Sequence, residues 1–114
     1  MPKKYDLEER TEKFAKEVVQ FCRRLTKDVI NIELIKQVIR ASGSVGANYI
    51  EANESLSKKD FFYRIKICRK ESKESGYWLR IIFSNNKIFE KEIKQLIKES
   101  MELMNIFGAI LQKR

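Results

Sequence analysis

The chain has 114 residues, a formal net charge of +8, no histidine, one proline and four glycines, with 43% hydrophobic and 35% charged residues. That length holds a single core and one domain, and so few turn residues exclude a β-rich fold of this size. Without histidine the commonest general base and the commonest transition-metal ligand are both missing, so neither an enzyme nor a metal or cofactor is expected. The basic excess is uneven: residues 1–57 carry ten Lys+Arg against nine Asp+Glu, and residues 58–114 carry fourteen against seven. No apolar run approaches the length of a membrane span, and the first residues lack the apolar segment of a signal peptide, so a soluble, cytoplasmic protein is expected.

The apolar periodicity predicts four helices, over roughly 7–25, 32–54, 58–84 and 88–112. Asp6, with Glu9 three residues on, forms an acidic capping box for the first. Leu7, Thr11, Phe14, Ala15, Val18, Phe21, Cys22 and Leu25 then share one face. Thr26 to Ile30 reads as a connection, after which Asn31 can cap the second helix. This helix holds Arg40 to Ala52, a run of small residues with two glycines, each costing roughly 1 kcal/mol against Ala. The helical stripe nevertheless continues through Ile35, Val38, Ile39, Ser42, Val45, Gly46, Tyr49, Ala52 and Asn53. On the opposite side Arg40, Gly43, Ser44, Ala47 and Glu51 are mostly small as well, which suits a helix approached closely from two sides, by its own bundle and by another subunit.

Ser57 and Asp60 give a capping signal for the third helix, where Phe61, Ile65, Cys68, Ser72, Ser75, Leu79 and Ile82 alternate steps of four and three. Ser84, Asn85 and Asn86 end it. In the fourth, Phe89, Ile93, Leu96, Ile97, Ser100, Leu103, Met104, Phe107, Ile110 and Leu111 form one stripe. Short connections between long helices favour antiparallel neighbours, so the expected fold is all-α, an antiparallel up-down-up-down four-helix bundle. Cys22 and Cys68 both fall on apolar faces without metal-ligand spacing, which reads as buried free thiols.

Three stretches, Asp6 to Ala15, Arg40 to Ala52 and Lys70 to Ile82, together resemble the four-helix-bundle family first noticed in reading frames of intervening sequences within bacterial 23S rRNA genes. Departures from that pattern are Gly43, Ile50 and Gly76. The resemblance implies a left-handed antiparallel bundle, a ring-shaped homopentamer and no established enzymatic activity. A more distant likeness is to the accessory protein of diversity-generating retroelements, which binds a reverse transcriptase and nucleic acid; a shared fold does not by itself carry that function.

Two constellations on the third helix bear on function. Opposite its seam, Lys59, Tyr63, Lys66, Lys70, Lys73, Tyr77 and Arg80 recur at steps of four and three, a cationic stripe with aromatic residues at intervals. Lys and Arg neutralise phosphates and an exposed Tyr stacks on an unpaired base, so the pattern suits RNA or single-stranded nucleic acid. An ordinary solvated helix face, or a surface for an acidic protein partner, would show the same composition. Glu71 and Glu74 lie instead on the flank shared with Ile67 and Trp78, where they want a cation from Arg40, Arg64 or Arg10. An acid pair could divide acid and base roles, but no nucleophile or phosphate loop accompanies it. An ion-pair network at a subunit boundary, with Trp78 covered by the neighbour, is the expected role.

Overall fold

The computed structural model describes residues 5–114, with side chains from Leu7 onward. Four helices follow in order, α1 (Tyr5–Arg23), α2 (Val29–Asn53), α3 (Lys58–Asn85) and α4 (Glu90–Leu111). Each packs only on its two neighbours in a closed circuit, α1 on α2, α2 on α3, α3 on α4 and α4 on α1. This is the antiparallel four-helix bundle expected from the spacing, measuring 45 × 28 × 20 Å, and the 28 residues of α3 span nearly its whole length.

Helices α2 and α4 start at positions other than those expected. α2 begins three residues before the expected position because Asp28, not Asn31, is its cap: the Asp28 carboxylate accepts from the Asn31 backbone N–H at 2.8 Å. The connection is therefore residues 24–28. Asn31 is buried instead, where its amide and that of Asn86 exchange hydrogen bonds of 3.1 and 3.0 Å, and it also donates to the Thr26 carbonyl at 2.9 Å. A pair of amides thus ties the α1–α2 connection to the α3–α4 connection. Lys27 closes the end of α1 by donating to the carbonyls of Cys22, Arg23 and Leu25, groups a helix C-terminus leaves unpaired. Ser57 caps α3 as expected, accepting from the Asp60 N–H at 3.1 Å. A 3₁₀ turn, Lys87–Phe89, precedes α4, so the expected helix start at 88 falls inside it. The Asp6 side chain lies outside the described residues.

The core is drawn from the predicted stripes, with Phe14, Val18, Val38, Val45, Ile65, Cys68, Leu79, Ile82, Ile93, Leu103 and Phe107 at most 1% exposed. Burial of each large aliphatic or aromatic side chain contributes about 1.5–3 kcal/mol. The α3 seam is buried through both of its serines, which satisfy themselves within the helix: Ser72 donates to the Cys68 carbonyl and Ser75 to that of Glu71, each at 2.8 Å. On α2 the buried face is rotated from the expected one. Ala41 is buried, whereas Ile39 is 38% exposed and Asn53 lies at the surface, where it donates to Glu8.

The glycines of α2 are not equivalent. A Cβ on Gly46 would stand 2.9 Å from Thr11 Oγ1 and 3.2 Å from Thr11 Cβ, so this glycine lets α1 and α2 approach. A Cβ on Gly43 would meet nothing within 4 Å. Among the described residues nothing packs close enough to Gly43 to require a glycine there, so its helix-propensity cost is not offset by a close approach.

Candidate nucleic-acid interface

The α3 seam turns toward the core and leaves three other aspects: an outer face, a flank toward α2 and a flank toward α4. The outer face carries the cationic stripe. Lys59, Lys66, Lys70, Lys73 and Arg80 are all exposed, as are Tyr63 at 60% and Tyr77 at 50%. Positions along such a stripe rise about 5 Å at each step. Among the described residues none of its five cations is ion-paired. Some surface lysines elsewhere are locally neutralised: Lys16 pairs with Glu12, Lys36 with Glu33 and Lys94 with Glu90, each within one helical turn. Lys91 and Lys98 of α4 are exposed without an ion pair among the described residues, so what marks the stripe is the alignment of five such cations in one row with two tyrosines.

The tyrosines are only partly free. The Arg64 guanidinium sits 5.9 Å from the Tyr63 ring centroid, and Tyr77 meets Trp78 edge to face at 5.0 Å. Both rings keep about half their surface or more for a ligand. The Arg80 guanidinium leans over Gly76, 3.4 Å from where a Cβ would stand.

The flank toward α2 has the opposite character. Arg40 of α2 pairs with Glu74 through Nη2 and with Glu71 through Nη1 at 3.5 Å, and Trp78 Nε1 donates to Glu74 at 3.4 Å. Of the three arginines considered for these carboxylates, Arg40 is the partner. Arg64 donates to the Asn48 amide at 2.9 Å, and Arg10 forks onto Glu99 at 2.7 and 2.8 Å and reaches Glu102 at 2.8 Å, joining α1 to α4. Glu71 is 6% exposed, and its Oε1 is buried without a hydrogen bond, because Arg40 Nη1 is within ion-pair reach but poorly aligned. One half-exposed guanidinium thus serves two carboxylates. Trp78 and Ser44 are half-buried, whereas Gly43, Ala47 and Glu51 are exposed, and Glu51 makes no ion pair among the described residues.

No three His, Cys, Asp or Glu side chains gather as a metal set among the described residues. Burial pushes the Cys22 thiol up to about 11 and the Cys68 thiol up to about 12, which suits packing rather than redox chemistry. A groove of about 820 Å³ between α1 and α4 mixes Glu9, Glu12 and Glu17 with Lys13, Lys16 and Arg24, so it offers no preference for an anion. No helix of the described residues is long and apolar enough to cross a membrane.

A family model described as 23S rRNA-intervening sequence protein matches residues 3–109. The chain belongs to this family. It is also similar to the crystal structure, at 1.70 Å resolution, of a protein of unknown function from the S23 ribosomal protein family of Bacteroides thetaiotaomicron VPI-5482. That likeness covers 92% of this chain and 97% of the other, at 26% identity and a TM-score of 0.84. No curated protein matches. Family membership accords with the bundle, and the features that single out α3 are the free cations on its face and the crowded carboxylates beside α2. Sequence reasoning missed Asn48 as the Arg64 partner and placed no role on Arg69, which lies across Gly108 of α4, 3.5 Å from where a Cβ would stand. Nothing in the sequence signals that contact, because a Cβ at Gly108 would meet Arg69 at an ordinary distance.

Proposed function

We propose that this protein is a non-enzymatic accessory or scaffold protein of the cytoplasm that binds RNA or single-stranded nucleic acid along the outer face of α3, and that it works as a homo-oligomer, with a ring of five the arrangement implied by the family resemblance. The observation that carries this reading is the row of five exposed cations without carboxylate partners, interleaved with two exposed tyrosines. A row of unpaired charges is ready to release counterions from a phosphate chain, and tyrosine faces accept bases without regard to sequence. Several copies of such a row on one assembly would bind multivalently, so a weak contact per subunit suffices. The open space over Gly43, the small Ala47 and the underserved Glu71 support a neighbouring subunit on the α2 side, away from the stripe.

Titration of an unstructured RNA into the protein at increasing salt tests the proposal. Affinity should fall steeply with salt, on the order of 0.7 log units per tenfold salt for every phosphate contacted. Reversing Lys66, Lys70 and Lys73 to Glu should abolish binding. Unchanged binding by the triple variant would refute the assignment, and binding to an acidic protein but to no nucleic acid would make the protein an interaction hub instead.

A further inference from the structure

Where α3 begins and α4 ends, two clefts adjoin the stripe. One, of about 580 Å³, has Phe62 and Tyr63 as its aromatic wall and Lys59 and Lys66 at its rim. The other, of about 640 Å³, lies between α3 and α4 and is lined by Lys66, Arg69, Asn105 and Gly108. Arg114 reaches both, and Lys66 is common to them. No Asp or Glu lines either cleft, in contrast with the α1–α4 groove.

Chemistry divides between the two. An aromatic wall edged by ammonium groups receives a flat, apolar face that carries an anion at its border. A guanidinium and an ammonium facing an amide receive the anion itself, with the Arg69 fork matched to phosphate oxygens. Gly108 adds no side chain to this wall, and a Cβ there would meet Arg69 Nε at an ordinary contact distance of 3.5 Å. An unpaired nucleotide combines both features in every unit, a base with a phosphate joined through one sugar, whereas an acidic peptide offers a flat face only where an aromatic residue flanks its carboxylate.

We propose that these adjoining clefts are a nucleotide-binding site for single-stranded nucleic acid, in which one base stacks on Tyr63 beside Phe62 and the neighbouring phosphate is held by Lys66 and Arg69. This rests on the nucleic-acid reading of the stripe and makes one end of it the place where a base is gripped. The remainder, Lys70, Lys73 and Arg80, then tracks the backbone alone. Tyr63 and Arg69 are exposed, so both can be truncated without opening the core.

The test uses the full chain, a fluorescently labelled oligouridylate and a strand of equal length made of abasic sugar phosphate. Tyr63→Ala should weaken oligouridylate binding about 5- to 10-fold, the loss of one stacked base, and leave the abasic strand unaffected. Arg69→Ala should weaken both strands and lower the salt slope by about 0.7, the loss of one phosphate contact. If both variants bind like the unaltered protein while Lys70→Ala with Lys73→Ala binds poorly, the clefts are not the site and the stripe assignment stands. Should Tyr63→Ala weaken both strands equally, base stacking is refuted. If the unaltered protein binds neither strand, both the site and the nucleic-acid reading fall.

Discussion

The flank of α3 toward α2 and its outer face are built on opposite electrostatic terms. Toward α2, Arg40 is shared between Glu71 and Glu74, and the Glu71 carboxylate is buried with one oxygen lacking a hydrogen bond. Along the outer face and toward α4, cations stand without carboxylates. A charge that has a partner inside the molecule holds helices in register, whereas one without a partner is available to something outside it. The division places the chain's own cohesion on one side of α3 and its proposed ligand on the other.

The sharpest way to break this division is to ask each side to do the other's work. Reversing Lys66, Lys70 and Lys73 should lower nucleic-acid affinity by roughly 100-fold or more. It should leave the thermal midpoint unchanged or higher, because a chain of net charge +8 loses self-repulsion. Arg40→Ala should do the converse. It leaves Glu71 buried without its cation and should destabilise the fold by about 2 kcal/mol, less than a fully buried pair would cost because Arg40 is half-exposed. Denaturant unfolding and an affinity measurement on both variants check the pair, and a loss of affinity at constant stability in Arg40→Ala would erase the distinction.

Smaller effects separate the glycines. Gly46→Ala should destabilise by about 1–2 kcal/mol, since the new methyl meets a Thr11 side chain that is buried and donates to the Leu7 carbonyl at 2.7 Å. Gly43→Ala should instead stabilise the subunit by about 0.5–1 kcal/mol, the helix propensity gained in open space. Ala47→Leu, one turn further along the same exposed side, should reduce the oligomer in sedimentation while helicity by circular dichroism is kept. An unchanged oligomer would move the subunit contact away from α2.

Smallest of all is the effect of the thiols. Because burial raises both pKa values above the ordinary 9.0, their contribution to stability is complete below pH 9 and declines as the pH rises toward 11 and 12. Iodoacetamide at pH 8 should therefore leave the native chain unmodified and alkylate both cysteines in denaturant, as read by mass.

Much of the bundle was legible because helical spacing is a one-dimensional signal: the α3 seam from Phe61 to Ile82 needed only steps of three and four. The stripe was legible for the same reason, since Lys59 to Arg80 is that period shifted to the outer face. What escaped depends on relations between helices. Asp28 and Asn31 are both good caps, and the choice went to Asp28 because Asn31 is itself buried, with an amide partner in Asn86, 55 positions away. The two glycines of α2 look alike in sequence, and only the position of Thr11 on α1 tells them apart. Likewise Arg40 rather than Arg64 or Arg10 could be chosen for Glu71 only once α2 lay against α3.

The most direct measurement is native mass spectrometry of the assembly with and without a labelled oligouridylate, on the unaltered chain, the Lys66, Lys70 and Lys73 reversal, and Glu71→Gln. The unaltered chain should give a multiple of 13.6 kDa that gains the mass of bound oligonucleotide. The reversal should keep that multiple and gain nothing, and Glu71→Gln should change the multiple. A monomer that takes up no oligonucleotide, or a triple reversal that still binds it, would contradict the division of α3 into a cohesive side and a binding side.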